Sequence, residues 1–181
     1  VKPEVEVFDT AMLYNAVKLS EAGKIPKPLH VQFVTGIPGA IPTRRKLLEF
    51  LVDELHELAP DATWSAMGVG GRQFEVNKWT LEMGGHARTG FEDNVKLDRE
   101  TLAPNNAALV TLIADVATEY DRYPASPEEA RNLLGLAAAV LEACEYERQA
   151  LFRDRNREAG FTARVRLAYI VLDAGARLLC A

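Results

Sequence analysis

Cysteine is scarce in this chain of 181 residues: only Cys144 and Cys180 occur, far apart. Their spacing excludes a disulfide framework and the paired cysteines of zinc or redox motifs, and it fits reduced thiols in a cytoplasmic protein. Histidine is scarce too. His30, His56 and His86 stand alone, with no H-x-H or H-x-x-x-H pair from which a zinc site could be assembled. No apolar run approaches the roughly 20 residues that span a bilayer, and no signal-peptide pattern is visible, so no membrane partner is expected. A basic excess is also missing. With 21 Lys and Arg against 26 Asp and Glu, the net charge of −5 argues against a nucleic-acid partner. The chain opens on Val1 rather than methionine, as a piece of something longer would.

What is present is an ordinary globular composition, 48% hydrophobic and 26% charged, at a length that suits one domain with a proper core. Strand-like and helix-like segments alternate. VEVFD (5–9) is followed by a helical run over 11–22 and a PKP turn; LHVQFVTG (29–36) by apolar residues at helical spacing over 43–59. TWSAMGVG (63–70) leads into a helix over 72–83, and HARTGF (86–91) is the fourth strand. Leu109, Leu112, Ile113, Val116 and Tyr120 mark a helix starting near Asn105. In SPEEARNLL, Ser126 caps a further helix, Pro127 takes its first position and Glu129 closes a capping box.

Four strand-then-helix units with short connections predict an α/β fold with a parallel sheet. A doubly wound sheet and part of a (β/α)8 TIM-type barrel compete, and four units make only half of a barrel that typically needs about 250 residues. Either way, ligands meet the carboxyl ends of the strands. Asp9, Thr35-Gly36, Ser65 to Gly71 and Arg88 to Asn94 gather there. Residues 1–136 are expected to form this half-barrel, and 137–181 a helical extension with helices over 137–154 and 162–180. Six arginines between Arg148 and Arg166 read as a solvated face, or as a phosphate patch.

GGHARTGFEDN (84–94) crowds His86, Arg88, Glu92 and Asp93 among glycines. Arg88 and Glu92 share strand parity, and in an extended chain they would stand about 13 Å apart at ~3.3 Å per residue. A turn at Gly90 can bring them together. The cluster is then either a structural ion pair or a site in which a carboxylate offers a hard metal ligand and the arginine a positive fork for an oxyanion. Glu4 and Glu6 share parity in the first strand; Glu6 is either an exposed edge carboxylate or a buried one needing Arg88 as partner. His56 reads as solvated, while His30 and His86 read as packed and structural. GIPG (36–39) and GVGGR (68–72) are weak phosphate-binding candidates, matching neither dinucleotide nor P-loop patterns.

In order, PEVEVFD, HVQFVTGIPG, TWSAMGVGGRQF, GGHARTGFEDN, TLAPNNAALV and PASPEEARNLLGL resemble the β-keto acid cleavage enzymes, the family of 3-keto-5-aminohexanoate cleavage enzyme. The resemblance covers about residues 1–136 and matches the carboxyl-terminal half of a zinc-dependent barrel. It implies a retro-Claisen acyl transfer in which a β-keto acid and acetyl-CoA give acetoacetate and a new acyl-CoA. It further implies that Glu92 is a zinc ligand, that Arg88 and Asp93 are a catalytic pair, and that Glu6 is an active-site glutamate. The family's H-x-H zinc ligands are absent here, so activity and zinc binding by this chain are expected to be impaired. A homo-oligomer, or a second chain supplying the missing strands, is the expected partner. The alternative is a non-catalytic assembly module that pairs with another chain.

Overall fold

A computed structural model describes residues 2–136 and the backbone of 168–170 and 172–173. Four parallel strands follow one another across the sheet: β1 (Val5–Val7), β2 (His30–Thr35), β3 (Thr63–Gly68) and β4 (His86–Thr89). Between them run α1 (Thr10–Glu21), α2 (Arg45–Leu58) and α3 (Gln73–Glu82), and α4 (Asn106–Ala117) follows β4. A short strand β5 (Tyr123–Pro124) precedes α5 (Pro127–Leu134).

The helices begin where local chemistry tells them to. Asp9 caps α1 by accepting from the Met12 N–H at 2.8 Å, and Asn105 caps α4 by accepting from Ala108 at 2.9 Å. Ser126 and Glu129 complete both halves of the capping box at α5. Asp9, expected among the binding residues, therefore serves as a helix cap.

Strands in sequential order, all parallel, require every crossover to run the same way, so right-handed connections put all the helices on one face. The packing agrees. Val7, Val31, Phe33, Trp64 and Ala66 form one core with Leu13 and Val17 of α1, Leu48, Leu51 and Leu55 of α2, and Val76 of α3. Ala87 continues the same face against Leu81, Val110 and Ile113. A doubly wound sheet would reverse its winding and carry helices on both faces. This wall is wound in the manner of a (β/α)8 barrel.

Residues of opposite parity line the other face: Glu4, Glu6, His30, Gln32, Thr63, Ser65, His86 and Arg88. So polar a strand face must satisfy its own hydrogen bonds. At the amino-terminal ends of the strands, α5 reaches back to the segments ahead of β1 and β2. Lys2 Nζ donates to the Leu134 carbonyl, and Gly135 lies against Pro28.

In the tail, the expected helix over 162–180 is overturned where the chain is described. Ala168–Ile170 is a strand, β6, antiparallel to β4, and Leu172–Asp173 is β7, paired with β5. The edge of β4 offers unmet backbone groups, and Tyr169 and Ile170 are good strand formers, so pairing wins over helical periodicity. The helix expected over 137–154 lies outside the described residues.

Candidate active site

The site is built around Arg88, whose side chain is 4% exposed at the carboxyl end of β4. Beyond Thr89 the chain turns at Gly90 (φ 156°), and the Asp93 and Asn94 N–H groups both donate to its carbonyl, at 3.1 and 3.0 Å. The turn reverses Glu92 and Asp93 onto the guanidinium. Asp93 is gripped along one edge of the fork by two parallel bonds, Nε to Oδ2 at 2.9 Å and Nη2 to Oδ1 at 3.0 Å. Nη2 also reaches Glu92 Oε2 at 3.0 Å, and Nη1 reaches Glu6 Oε1 at 2.7 Å across the width of the sheet. The separation of about 13 Å in an extended chain collapses to a contact.

Glu6 thus combines the two roles open to it: it stands on an edge strand with its side chain 44% exposed, and it is bonded to Arg88. Glu92 is similarly half-exposed, while Asp93 is buried. Burial pushes the Asp93 carboxyl up to about 6; the neighbouring Glu92 and Glu6 charges add to the rise, and Arg88 opposes it. A carboxylate that exchanges its proton near neutrality, beside a fixed cation, is equipped for general acid–base work.

One residue at the site was not singled out by the sequence pattern. Gln32 is fully buried on β2, in register with Glu6 on one side and Ser65 on the other. Its amide has one chemically sensible orientation, with the nitrogen donating to Glu4 Oε1 at 2.6 Å and Ser65 Oγ at 2.9 Å and the oxygen accepting from Arg88 Nη1. Ser65 is buried beside it. The signal was present: a glutamine inside the apolar run HVQFV can be buried only with partners.

One step deeper, His30 Nδ1 lies 2.7 Å from Thr63 Oγ1, and the His30 and His86 ring centroids are 6.3 Å apart. Both rings are buried, and His56 is exposed, as expected of each. In the glycine loops, three amides that could have met a phosphate have acceptors within the chain. The Gly36 N–H donates to Ile41, Val69 to Thr35, and Gly70 to Asp93 at 2.7 Å, so these amides are spent on the chain itself.

The model of one protein family, beta-keto acid cleavage enzyme, matches residues 1–136. The chain belongs to the beta-keto acid cleavage enzyme family. It is 51% identical over 142 residues to a 3-oxoadipate:acetyl-CoA acetyltransferase of Cupriavidus necator, covering 78% of this chain and 50% of that protein. A 3-keto-5-aminohexanoate cleavage enzyme of Fusobacterium nucleatum is 41% identical, over 75% of this chain and 48% of its own length. A 3-dehydrocarnitine:acetyl-CoA trimethylamine transferase of Rhizobium meliloti is 32% identical over 136 residues, 75% of this chain and 44% of that protein. This beta-keto acid cleavage family member spans about half the length of the curated relatives it matches. No helix among its described residues is long and apolar enough to cross a membrane.

The zinc that the resemblance implies needs a donor set, and a catalytic zinc takes three protein ligands. Among the described residues no group of three His, Cys, Asp or Glu side chains is placed to hold a metal. Glu92, with half its side chain in solvent and one oxygen on Arg88, offers a single donor. These residues alone do not fit a zinc centre.

Proposed function

We propose that this chain carries the acid–base half of a β-keto acid cleavage site, acting with acetyl-CoA to give acetoacetate and a new acyl-CoA. The observation that supports it most directly is the Arg88–Asp93 pair, doubly hydrogen-bonded and buried at the carboxyl end of the wall, with Asp93 raised to about 6. Asp93 takes the proton from the carbon between the keto and carboxyl groups, and Arg88 lies beside the resulting enolate charge. That carbon attacks the acetyl thioester and displaces the CoA thiolate. The thiolate then adds to the original ketone carbon, the bond to the new acetoacetate breaks, and Asp93 returns its proton to the carbanion that leaves. Glu6 and Glu92, half-exposed, border the space where the substrate enters.

The 51% identity to the Cupriavidus necator protein makes a 3-oxo dicarboxylate the substrate to try first. Because the chain spans half of that relative, the whole activity is proposed for the fold completed by the other half, and the isolated chain is expected to be slow and to bind zinc weakly. The test mixes the chain with a separately expressed segment supplying the relative's other β/α units, plus zinc, acetyl-CoA and 3-oxoadipate, and follows acetoacetate. Arg88→Met and Asp93→Asn should each abolish the product. A completed protein that makes no acetoacetate, or an Arg88→Met variant as active as wild type, sinks the proposal. For zinc, calorimetry on the isolated chain should show no submicromolar binding; tight binding lost in Glu92→Ala would contradict the donor-set reading.

A further inference from the structure

We infer that Gln32 is a positioning residue, a neutral two-way link that locks the Arg88 guanidinium in place and ties Glu4 to it. The catalytic part of this inference rests on the function proposed above; the geometric part does not.

A guanidinium has five N–H donors, and each wants an acceptor when buried. At Arg88, Nε–H goes to Asp93, and the two Nη2 hydrogens go to Asp93 and Glu92. One Nη1 hydrogen goes to Glu6. The remaining Nη1 hydrogen meets the Gln32 carbonyl oxygen. Of these acceptors only Gln32 is neutral, fully buried and on an internal strand; Glu6 and Glu92 are half in water. Exposed carboxylates hold a partner loosely, because water competes and the side chains keep rotamer freedom. Gln32 cannot yield in this way.

The amide also works in the other direction. Its two N–H groups are taken by Glu4 and Ser65, so turning it over would set its N–H groups against the Nη1 hydrogens and its oxygen against the Glu4 carboxylate. Arg88 on one side and Glu4 on the other therefore fix the polarity of the group between them. A glutamate here would place a further negative charge beside Glu4 and Glu6. An apolar residue would withdraw an acceptor from Arg88 and a donor from Glu4. Glutamine is the residue type of this size that serves both neighbours without adding charge.

The experiment uses the full 181-residue chain and two variants, Gln32→Met and Gln32→Glu. The first readout is nitrogen-15 NMR of the arginine side chains. With every donor engaged, rotation of the Arg88 guanidinium is slow and its Nη protons are resolved as separate resonances. Gln32→Met should merge the Nη1 pair, whereas Gln32→Glu, which keeps an oxygen on Nη1, should leave it resolved. A residue that merely fills space would lower the melting temperature in Gln32→Met and leave the Arg88 resonances untouched. The second readout is turnover in the completed protein, where Gln32→Met should lower kcat about ten- to a hundredfold with KM changed less than about twofold, as expected for a displaced catalytic group.

Resolved Arg88 resonances in Gln32→Met, or unresolved ones in wild type, overturn the inference. So does collapse of the Nη1 pair in both variants, since Gln32→Glu retains the acceptor. Should Gln32→Met fail to fold, Gln32→Glu still decides: loss of its Nη1 resonances in a folded chain refutes the link. Absence of turnover in the wild-type completed protein would discard the proposed function, while the NMR spectra would still decide the role of Gln32.

Discussion

Neutralising His30 as a titrating group should change how stability responds to pH, and the direction follows from burial. The ring is 6% exposed, and desolvation, helped by the charge of Lys2, lowers its pKa from 6.5 to about 4. A base whose folded pKa is depressed binds its proton more readily when unfolded. Its contribution is therefore complete above pH 6.5, erodes as pH falls below that, and is exhausted near pH 4. A drop of about 2.5 units at 1.36 kcal/mol per unit gives an order-of-magnitude loss of about 3 kcal/mol.

Asp93 works oppositely. Its folded pKa, about 6, lies above the ordinary 3.8, so the folded state holds the extra proton and stability falls as pH rises through the same window. The two slopes nearly cancel, and wild type should look flat between pH 4 and 6. His30→Asn, which keeps a polar partner for Thr63, removes one slope: its stability should fall by a few kcal/mol as pH rises from 4 to 6. Asp93→Asn removes the other and should lose about 3 kcal/mol as pH falls from 6.5 to 4. Urea unfolding followed by circular dichroism at half-unit steps measures both. Parallel pH profiles for wild type and His30→Asn would refute the claim that the ring is buried neutral.

Other perturbations act on packing and charge. Arg88→Met leaves Glu6, Glu92 and Asp93 facing one another and should cost about 3–5 kcal/mol at pH 7, relieved at lower pH as the carboxylates protonate; an unchanged urea midpoint would contradict this. At Gly85 an added Cβ would fall 2.5 Å from Trp64 Cη2, so Gly85→Ala should destabilise by about 1–3 kcal/mol, and a neutral outcome in thermal melts would show that Trp64 can move. Asn77 is fully buried, and among the described residues neither of its amide atoms has a hydrogen-bond partner. Asn77→Leu should accordingly raise stability by about 1 kcal/mol, and a clear loss would reveal a polar partner. Ser126→Ala removes the cap of α5 and should cost about 1 kcal/mol in the same melts.

Much of the wall was legible beforehand because its causes are local. Alternation in VEVFD and HVQFV, helical spacing over 43–59 and the SPEE capping box act within a few residues, and the elements appear where those patterns lie. The turn at Gly90 was legible for the same reason, and with it the meeting of Arg88 with Glu92 and Asp93. The tail was not. A short periodic run satisfies helix and strand alike, and the open edge of β4, far earlier in the chain, decided for a strand at Ala168–Ile170.

Residue types and spacing by themselves thus determined that this chain is a parallel α/β wall with an arginine–carboxylate cluster at its carboxyl end. Tertiary structure alone decided that the wall winds one way with its helices on one face, since winding depends on strand order. It alone brought Glu6 to Arg88 across 82 positions and set Gln32 between Arg88 and Glu4. It also set the proton affinities of Asp93 and His30, because desolvation sums over every element packed around a group and no window of sequence contains that sum.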